Sequence, residues 1–139
     1  MNKIRIVTLI ILSISSISYA GDNRLDNKQI YELKTACGKS AFEYYVKYKL
    51  CDGHGNYINH YNVKLNSCFI HMMASCKTDN NSDIFWTESL IEVNENKEFG
   101  SYIGDVKLIG DKPAMCNVEN KQCKSRVEFI ELVKPYMSE

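Results

Sequence analysis

The hydrophobic residues that follow residue 26 first recur with a helical period. Apolar side chains at spacings of three and four share one face of a helix; here they are Ile30, Leu33, Cys37, Ala41, Tyr44 and Tyr48. Asp26 or Asn27 can cap this helix by accepting a hydrogen bond from a first-turn N–H. Ser40 and Glu43 would form a capping box for a second helix. Because the apolar stripe keeps its phase through Gly38, the pattern favours one continuous helix over residues 26 to 49.

The pattern changes from helical to strand-like after residue 56. Apolar and polar residues alternate between Tyr57 and Leu65, and a long apolar run follows from Cys68 to Cys76. Two further runs, 84–93 and 99–106, are rich in aromatic and β-branched residues. Because only short turn-forming segments separate these runs, they predict an antiparallel meander and not βαβ units.

A short helix is predicted near the end of the chain. Ser125 and Glu128 form a capping box, and apolar residues follow at helical spacing: Val127, Ile130 and Val133. Pro135 has no N–H for the helical ladder, so we expect the helix to end or kink there. The elements predict one α+β domain over residues 21–139. Its N-terminal helix and short C-terminal helix pack on an antiparallel β-meander stapled by disulfides.

Residues 1–20 have the features of a secretory signal peptide. Lys3 and Arg5 precede an apolar stretch, and the small residues Ser18 and Ala20 precede the expected cleavage point. A membrane anchor is the alternative, but the apolar stretch is short and rich in serine for a span of about 30 Å of hydrocarbon. We therefore predict export to the periplasm or the extracellular space, with no membrane span after cleavage.

The charge balance changes once the signal peptide is set aside. The 139 residues carry 17 basic and 17 acidic side chains, whereas residues 21–139 keep 15 basic and 17 acidic ones. A nucleic-acid partner requires a basic surface that neutralises phosphates, so none is predicted. Hydrophobic residues make up 45% of the chain, enough to fold a core, so disorder is not expected.

All six cysteines follow the predicted signal peptide. An even number of cysteines in a small exported chain is typical of disulfides and not of metal ligands or nucleophiles. Cys116 and Cys123 flank a hairpin-like segment, in which opposed positions approach within about 5 Å. We predict that these two cysteines form a disulfide.

The other four cysteines leave alternatives. Cys68 and Cys76 share one strand and are separated by roughly 26 Å of extended chain, so they cannot bond to each other. Cys37 faces the sheet from the apolar stripe of the helix, and either Cys68 or Cys76 can be its partner. Cys51 takes the other. We favour Cys37–Cys68 and Cys51–Cys76.

Three segments carry a resemblance to a known group of proteins. They are NHYNVKLNSCF from Asn59 to Phe69, the pattern CxVx4CxSxxEFxxLVxPYM from Cys116 to Met137, and Ala36 to Lys39 in the first helix. These segments resemble small exported bacterial proteins of unknown function. The resemblance implies that Cys37–Cys68 and Cys116–Cys123 are shared bridges, with Cys51 and Cys76 as an additional pair. It implies no activity.

Residues suited to catalysis are few. Asp52, His54 and His60 lie within ten residues of one another, next to Cys51. They offer a base for a small hydrolase, and a pair of carboxylates needs no sequence motif. The spacing of these residues matches no standard zinc pattern. The sequence therefore predicts no specific catalytic residue, and a small periplasmic hydrolase stays an alternative.

Sulfur and imidazole side chains raise the question of a soft-metal site. His71, Met72 and Met73, together with Met115, would suit an ion such as Cu(I). Adjacent residues of a strand point to opposite faces, however, so core packing explains this run better. The sequence predicts no metal ligand and no cofactor, although a metal-binding protein stays an alternative.

Tyrosine is the remaining unusual feature of the composition. A tyrosine has an apolar ring and a polar tip, which suits recognition surfaces. Tyr45, Tyr57, His60 and Tyr61 are the candidates for an exposed binding patch. The leading interpretation is a non-catalytic binding or interaction module whose target is a protein or a cell-envelope component.

Overall fold

A computed structural model describes residues 25–51, 55–77, 84–105 and 113–138. The predicted signal peptide, residues 1–20, lies outside these ranges. Helix α1 (Asn27–Lys47) precedes an antiparallel sheet and helix α2 (Arg126–Met137) follows it. The strands are adjacent in chain order: β1 (Gly55–Asn62), β2 (Ser67–Lys77), β3 (Ile84–Glu92), β4 (Lys97–Asp105), β5 (Met115–Val118) and β6 (Lys121–Gln122). The predicted α+β fold with an antiparallel meander and disulfides is confirmed.

Helix α1 is continuous, as its apolar stripe predicts. The Asp26 carboxylate accepts a hydrogen bond from the Gln29 N–H at 2.7 Å, and the Gln29 side chain accepts one from the Asp26 N–H at 2.9 Å. The helix passes through Gly38 without a break. The alternative of a second helix starting at Ser40 is therefore wrong, because the buried stripe formed by Cys37 and Ala41 stays in phase on the sheet.

The interior strand β2 is buried on both sides because each face of the sheet carries a helix. On the face covered by α1, Ile70 and Met72 pack near Ala41, and Cys68 packs with Cys37. Residues of the other parity face α2, where Phe69 packs with Phe129. Successive side chains of a strand point to opposite faces. Two-sided burial therefore explains why this strand reads as one long apolar run.

Two disulfides fix α1 along β2. Cys37 is bonded to Cys68 near the start of the strand, and Cys51 is bonded to Cys76 near its end. Since β2 is extended, these two attachments are far apart, and α1 runs beside the strand in the same direction. The third disulfide, Cys116–Cys123, closes the β5–β6 hairpin with its Cα atoms 5.0 Å apart. Three disulfides indicate a protein of an oxidising compartment.

Helix α2 begins at the predicted cap and continues past Pro135. The Ser125 hydroxyl accepts a hydrogen bond from the Glu128 N–H at 3.2 Å, and the Glu128 carboxylate accepts one from the Lys124 N–H at 2.7 Å. Of the two outcomes expected at Pro135, an end of the helix is wrong, because α2 continues to Met137.

The buried side chain of Asn62 holds the last turn of α2 against the sheet. Its amide donates to the carbonyl oxygens of Pro135, Tyr136 and Ser138 at 2.9, 3.3 and 3.2 Å. Its amide oxygen accepts from the Leu65 N–H at 3.0 Å, which also orders the β1–β2 turn. The last carbonyls of a helix have no partner within the helix. Asn62 supplies that partner from a strand far away in the sequence.

Candidate functional site

Two of the four predicted binding residues lie together at the start of β1. The Tyr45 and Tyr57 rings have their centroids 4.7 Å apart, and the Tyr45 hydroxyl donates to the Gly55 carbonyl oxygen at 2.7 Å. Both side chains are half-buried. This contact joins α1 to the first strand and leaves part of each ring in solvent.

Tyr61 is not part of an exposed patch. Its side chain is only 5% exposed and packs with the Cys37–Cys68 bridge under α1. Its hydroxyl donates to the Asn66 side chain in the β1–β2 turn, where Asn66 has a positive φ of 51°. Asparagine tolerates this left-handed backbone better than most residues. The alternation of β1 places Tyr61 beside the helix, where it is covered.

His60 lies on the other face of the sheet from Tyr57 and Tyr61. Its neighbour across the ladder is Phe69, which faces α2. The His60 Nε2 atom is buried and has no hydrogen-bond partner among the described residues. Asp52 and His54 lie outside the described ranges. The region considered for a hydrolase therefore lies mostly outside the described residues, and the four predicted binding residues do not form one patch.

The outer backbone edge of β1 is the feature that stands out in this region. The Cys68 carbonyl accepts from the Val93 N–H across the β2–β3 boundary, so Cys68 directs its backbone groups away from β1. Its neighbour Tyr61 therefore directs its own N–H and C=O outward, as do Asn59 and Tyr57. The Asn56 side chain accepts from the Tyr57 N–H at 2.8 Å. Within the described residues, the outward groups of Asn59 and Tyr61 have no such partner.

Exposed apolar side chains lie on α1, the helix that covers β1, and on β1 itself. Tyr31, Phe42 and Val46 lie on the outer face of α1 and are 72%, 56% and 49% exposed. Ile58, on the face opposite α1, is 51% exposed. We call these four side chains, together with the outer backbone of β1 from Tyr57 to Tyr61, the β1 edge surface.

The two edges of the described sheet differ in length and charge. Strand β1 has eight residues and contains no Lys, Arg, Asp or Glu. Strand β6 has two residues, one of them Lys121. Proteins protect sheet edges from pairing with other chains by keeping them short, charged or interrupted by proline. Strand β6 has the first two protections and β1 has none of the three.

A buried charged cluster on the α2 face was not identified from the sequence. Glu88 on β3 is fully buried and has three partners. His71 Nε2 lies 2.6 Å from its Oε2, Trp86 Nε1 donates to its Oε1 at 2.6 Å, and the Arg126 guanidinium donates to the same oxygen. The Arg126 guanidinium also lies 5.0 Å above the Trp86 ring. The only sequence signal for it is a glutamate between Trp86 and Leu90 on one face of β3.

The electrostatics of the cluster keep Glu88 ionised. Burial alone would raise its pKa, but hydrogen bonds from His71, Arg126 and Trp86 and the charge of Arg126 lower the pKa of this carboxyl below its ordinary value. Nearby, burial raises the pKa of Tyr102, so its hydroxyl stays protonated. Because Glu88 and His71 are both buried, the cluster ties α2 to the sheet and presents neither group to a substrate.

His71 and Met72, two of the residues considered for a soft-metal site, lie on opposite faces of the sheet. His71 points into the charged cluster, whereas Met72 packs in the core beneath α1 on the opposite face. Within the described ranges, no three His, Cys, Asp or Glu side chains form a group that could hold a metal ion.

Comparisons with known proteins add no relative. No protein-family model matches the chain, and neither curated proteins nor solved structures give a match. Among the helices of the described residues, none has the length and apolar character needed to cross a membrane. The proposed function therefore rests on the fold and its surfaces.

Proposed function

We propose that this chain is an exported protein of the periplasm or extracellular space that acts by binding a protein partner through the β1 edge surface. The observation that carries this proposal is the unprotected outer edge of β1, where backbone groups of Asn59 and Tyr61 lack partners within the described residues. A partner strand that adds to such an edge gains main-chain hydrogen bonds.

The exposed side chains beside the edge supply the second part of a binding surface. Tyr31, Phe42 and Val46 give apolar contact area on α1, and Ile58 gives it on the other face of the sheet. Main-chain pairing provides affinity for any strand, whereas neighbouring side chains select among strands. A protein partner fits this combination better than a polysaccharide or a lipid does, because only a polypeptide offers a matching backbone.

The scaffold suits a binding role outside the cell. Two disulfides hold α1 beside β2, so the helix and the strand edge keep a fixed relation to each other. A surface that is already ordered loses little conformational entropy when it binds. The same bridges support the oxidising location that export would provide.

The proposal is tested by affinity capture from the exported fraction of the source cells and from the fluid around them. The bait is the disulfide-bonded protein, compared with two variants. Asn59→Pro removes an outward N–H that β2 does not use, and Val127→Lys alters an exposed valine on α2, far from the edge. We expect a protein that is captured by the wild type and by Val127→Lys, and lost with Asn59→Pro. Equal capture by all three baits would contradict the proposal.

A further inference from the structure

We propose that the partner of the β1 edge surface is a second copy of this chain. Two β1 strands would pair antiparallel about a two-fold axis at Asn59, and the two α1 helices would pack side by side. This inference rests on the proposed function, since it names the protein that binds there.

The backbone of β1 is compatible with pairing to itself. With Asn59 on the two-fold axis, the N–H and C=O of Asn59 in one copy meet those of Asn59 in the other. The N–H of Tyr61 then meets the C=O of Tyr57 in the other copy. All of these groups already point outward. Because β1 has no Lys, Arg, Asp or Glu, two copies of the strand meet without repulsion between charged side chains.

The same axis brings the two α1 helices to packing distance. Helix α1 packs over both β1 and β2, on the face that carries Tyr57 and Ile70. Strands lie about 4.8 Å apart, so helices placed over the two β1–β2 pairs would have their axes about 10 Å apart, close to the 8–10 Å of packed helices. Neither helix would have to move for the strand edges to pair.

The sequence of α1 fits a close approach at this axis. Gly38 is the α1 residue above Asn59: a Cβ on Gly38 would lie 3.8 Å from the Asn59 side-chain nitrogen. The exposed apolar residues lie on both sides of it, with Tyr31 seven positions before and Val46 eight positions after. In an antiparallel pair, Tyr31 of one copy lies beside Val46 of the other. Phe42 of one copy lies level with the helical turn before Gly38 in the other copy.

The opposite face of the sheet also gains contacts at this axis. With Asn59 paired to itself, Ile58 of one copy lies beside His60 of the other. Ile58 is 51% exposed in the single chain. Pairing would therefore bury apolar side chains on both faces of a continuous sheet. A strand from a different protein would pair with the outward N–H and C=O groups of β1. It would not supply a second α1 to cover Tyr31, Phe42 and Val46.

The test measures the mass of the disulfide-bonded protein by sedimentation and the hydrogen exchange of its amides, over a range of protein concentrations. We expect a dimer, and exchange of the Asn59 and Tyr61 amides that slows as the concentration rises. Asn59→Pro and Val46→Lys should each shift the protein to the monomer. Val127→Lys is the matched control, because it makes the same change at an exposed helical valine on the other face, and it should leave the dimer intact.

The outcomes separate this inference from the proposed function. A monomer at concentrations up to about 1 mM, the weak end of specific association, with rapid exchange at Asn59 and Tyr61, would overturn the dimer. A dimer that survives both Val46→Lys and Asn59→Pro would also overturn it, because the contact would then lie elsewhere. If the monomeric protein still captures a different protein in an Asn59-dependent way, the proposed function stands and only the identity of the partner is wrong. Val46→Lys keeps the test decisive if Asn59→Pro does not fold.

Discussion

The two faces of the sheet are held by different kinds of interaction. On the α1 face, the disulfides Cys37–Cys68 and Cys51–Cys76 attach the helix to the sheet, and the contact between them is apolar. On the α2 face, no disulfide joins helix to sheet, and the attachment depends on aromatic packing and the buried Glu88 cluster. Reduction should therefore loosen α1 from the sheet and leave α2 in place. Acid should loosen α2 and leave α1 in place.

The largest expected effect comes from removing the bridge that anchors α1. Replacing both Cys37 and Cys68 by alanine opens a loop with a sequence separation of 31 residues. The loop-entropy model then predicts a loss of about 4 kcal/mol in the free energy of unfolding. Denaturant unfolding measures this loss. The matched control removes Cys116 and Cys123, whose separation is 7 and whose loss should be about 2 kcal/mol. Equal losses for the two pairs would contradict the entropic account.

On the α2 face, the corresponding change is Glu88→Gln. It removes a buried carboxylate that accepts bonds from Trp86, Arg126 and His71, and leaves their donors poorly satisfied. Breaking a buried charge network in this way should cost about 3 kcal/mol. Glu131→Gln is the control, since its carboxylate is exposed and should change stability by less than about 0.5 kcal/mol. If both variants unfolded at the same denaturant concentration, the α2 face would not depend on its charged cluster.

The acid response should show how far the stability of the folded chain depends on the ionised Glu88 carboxylate. The pKa of Glu88 is lower in the folded chain than its ordinary value of 4.5, so its contribution to stability is fully present above that value. It is lost as the pH falls through the lower, folded pKa. We expect the acid-induced loss in the wild type to be larger than in Glu88→Gln. Unfolding curves recorded from neutral pH down to the acid limit measure it, and parallel pH profiles for the two proteins would refute the assignment.

The fold was largely predictable from the sequence because its signals are local. The apolar stripe of α1, the two-sided apolar run of β2 and the short turns between strands each depend on neighbouring residues. The Glu88 cluster was not predictable, because Glu88, His71 and Arg126 come from three elements and form no motif. The role of Asn62 as a cap for α2 could not be predicted either, because its hydrogen-bond partners lie more than 70 residues later in the sequence.

The binding surface was predicted only in part, for a similar reason. The tyrosine content predicts an exposed patch that includes Tyr57 and Tyr61. The alternation of apolar and polar residues in β1 does not say which face of the strand a helix will cover. Exposure depends on how α1 packs, and that packing buries Tyr61. The free backbone edge depends on strand order, which places no described strand beyond β1.

The attachment of the end of α2 to the sheet should respond to Asn62→Ala. The side chain of Asn62 is 1% exposed and joins the β1–β2 turn to the end of α2 through four hydrogen bonds. Its loss leaves helix carbonyls unpaired and should cost about 2 kcal/mol. Hydrogen exchange should show the last turn of α2 opening more often, while α1 is unaffected. Asn120→Ala, at an exposed position of the β5–β6 turn, is the control and should leave α2 protected.

The smallest expected effect is at the β1 edge surface, where Phe42→Gln should hardly change the stability of the single chain. The side chain of Phe42 is 56% exposed, so its replacement should alter the free energy of unfolding by less than about 0.5 kcal/mol at a concentration where the protein is monomeric. Phe129→Ala is the contrast, because Phe129 is fully buried. Replacing a core aromatic side chain by alanine should lower the free energy of unfolding by about 3–5 kcal/mol. If Phe42→Gln destabilised the monomer by a comparable amount, Phe42 would be packed within its own chain. The α1 side of the β1 edge surface would then be unavailable to a partner, and both the binding role and the two-fold pairing of α1 would lose their apolar contact.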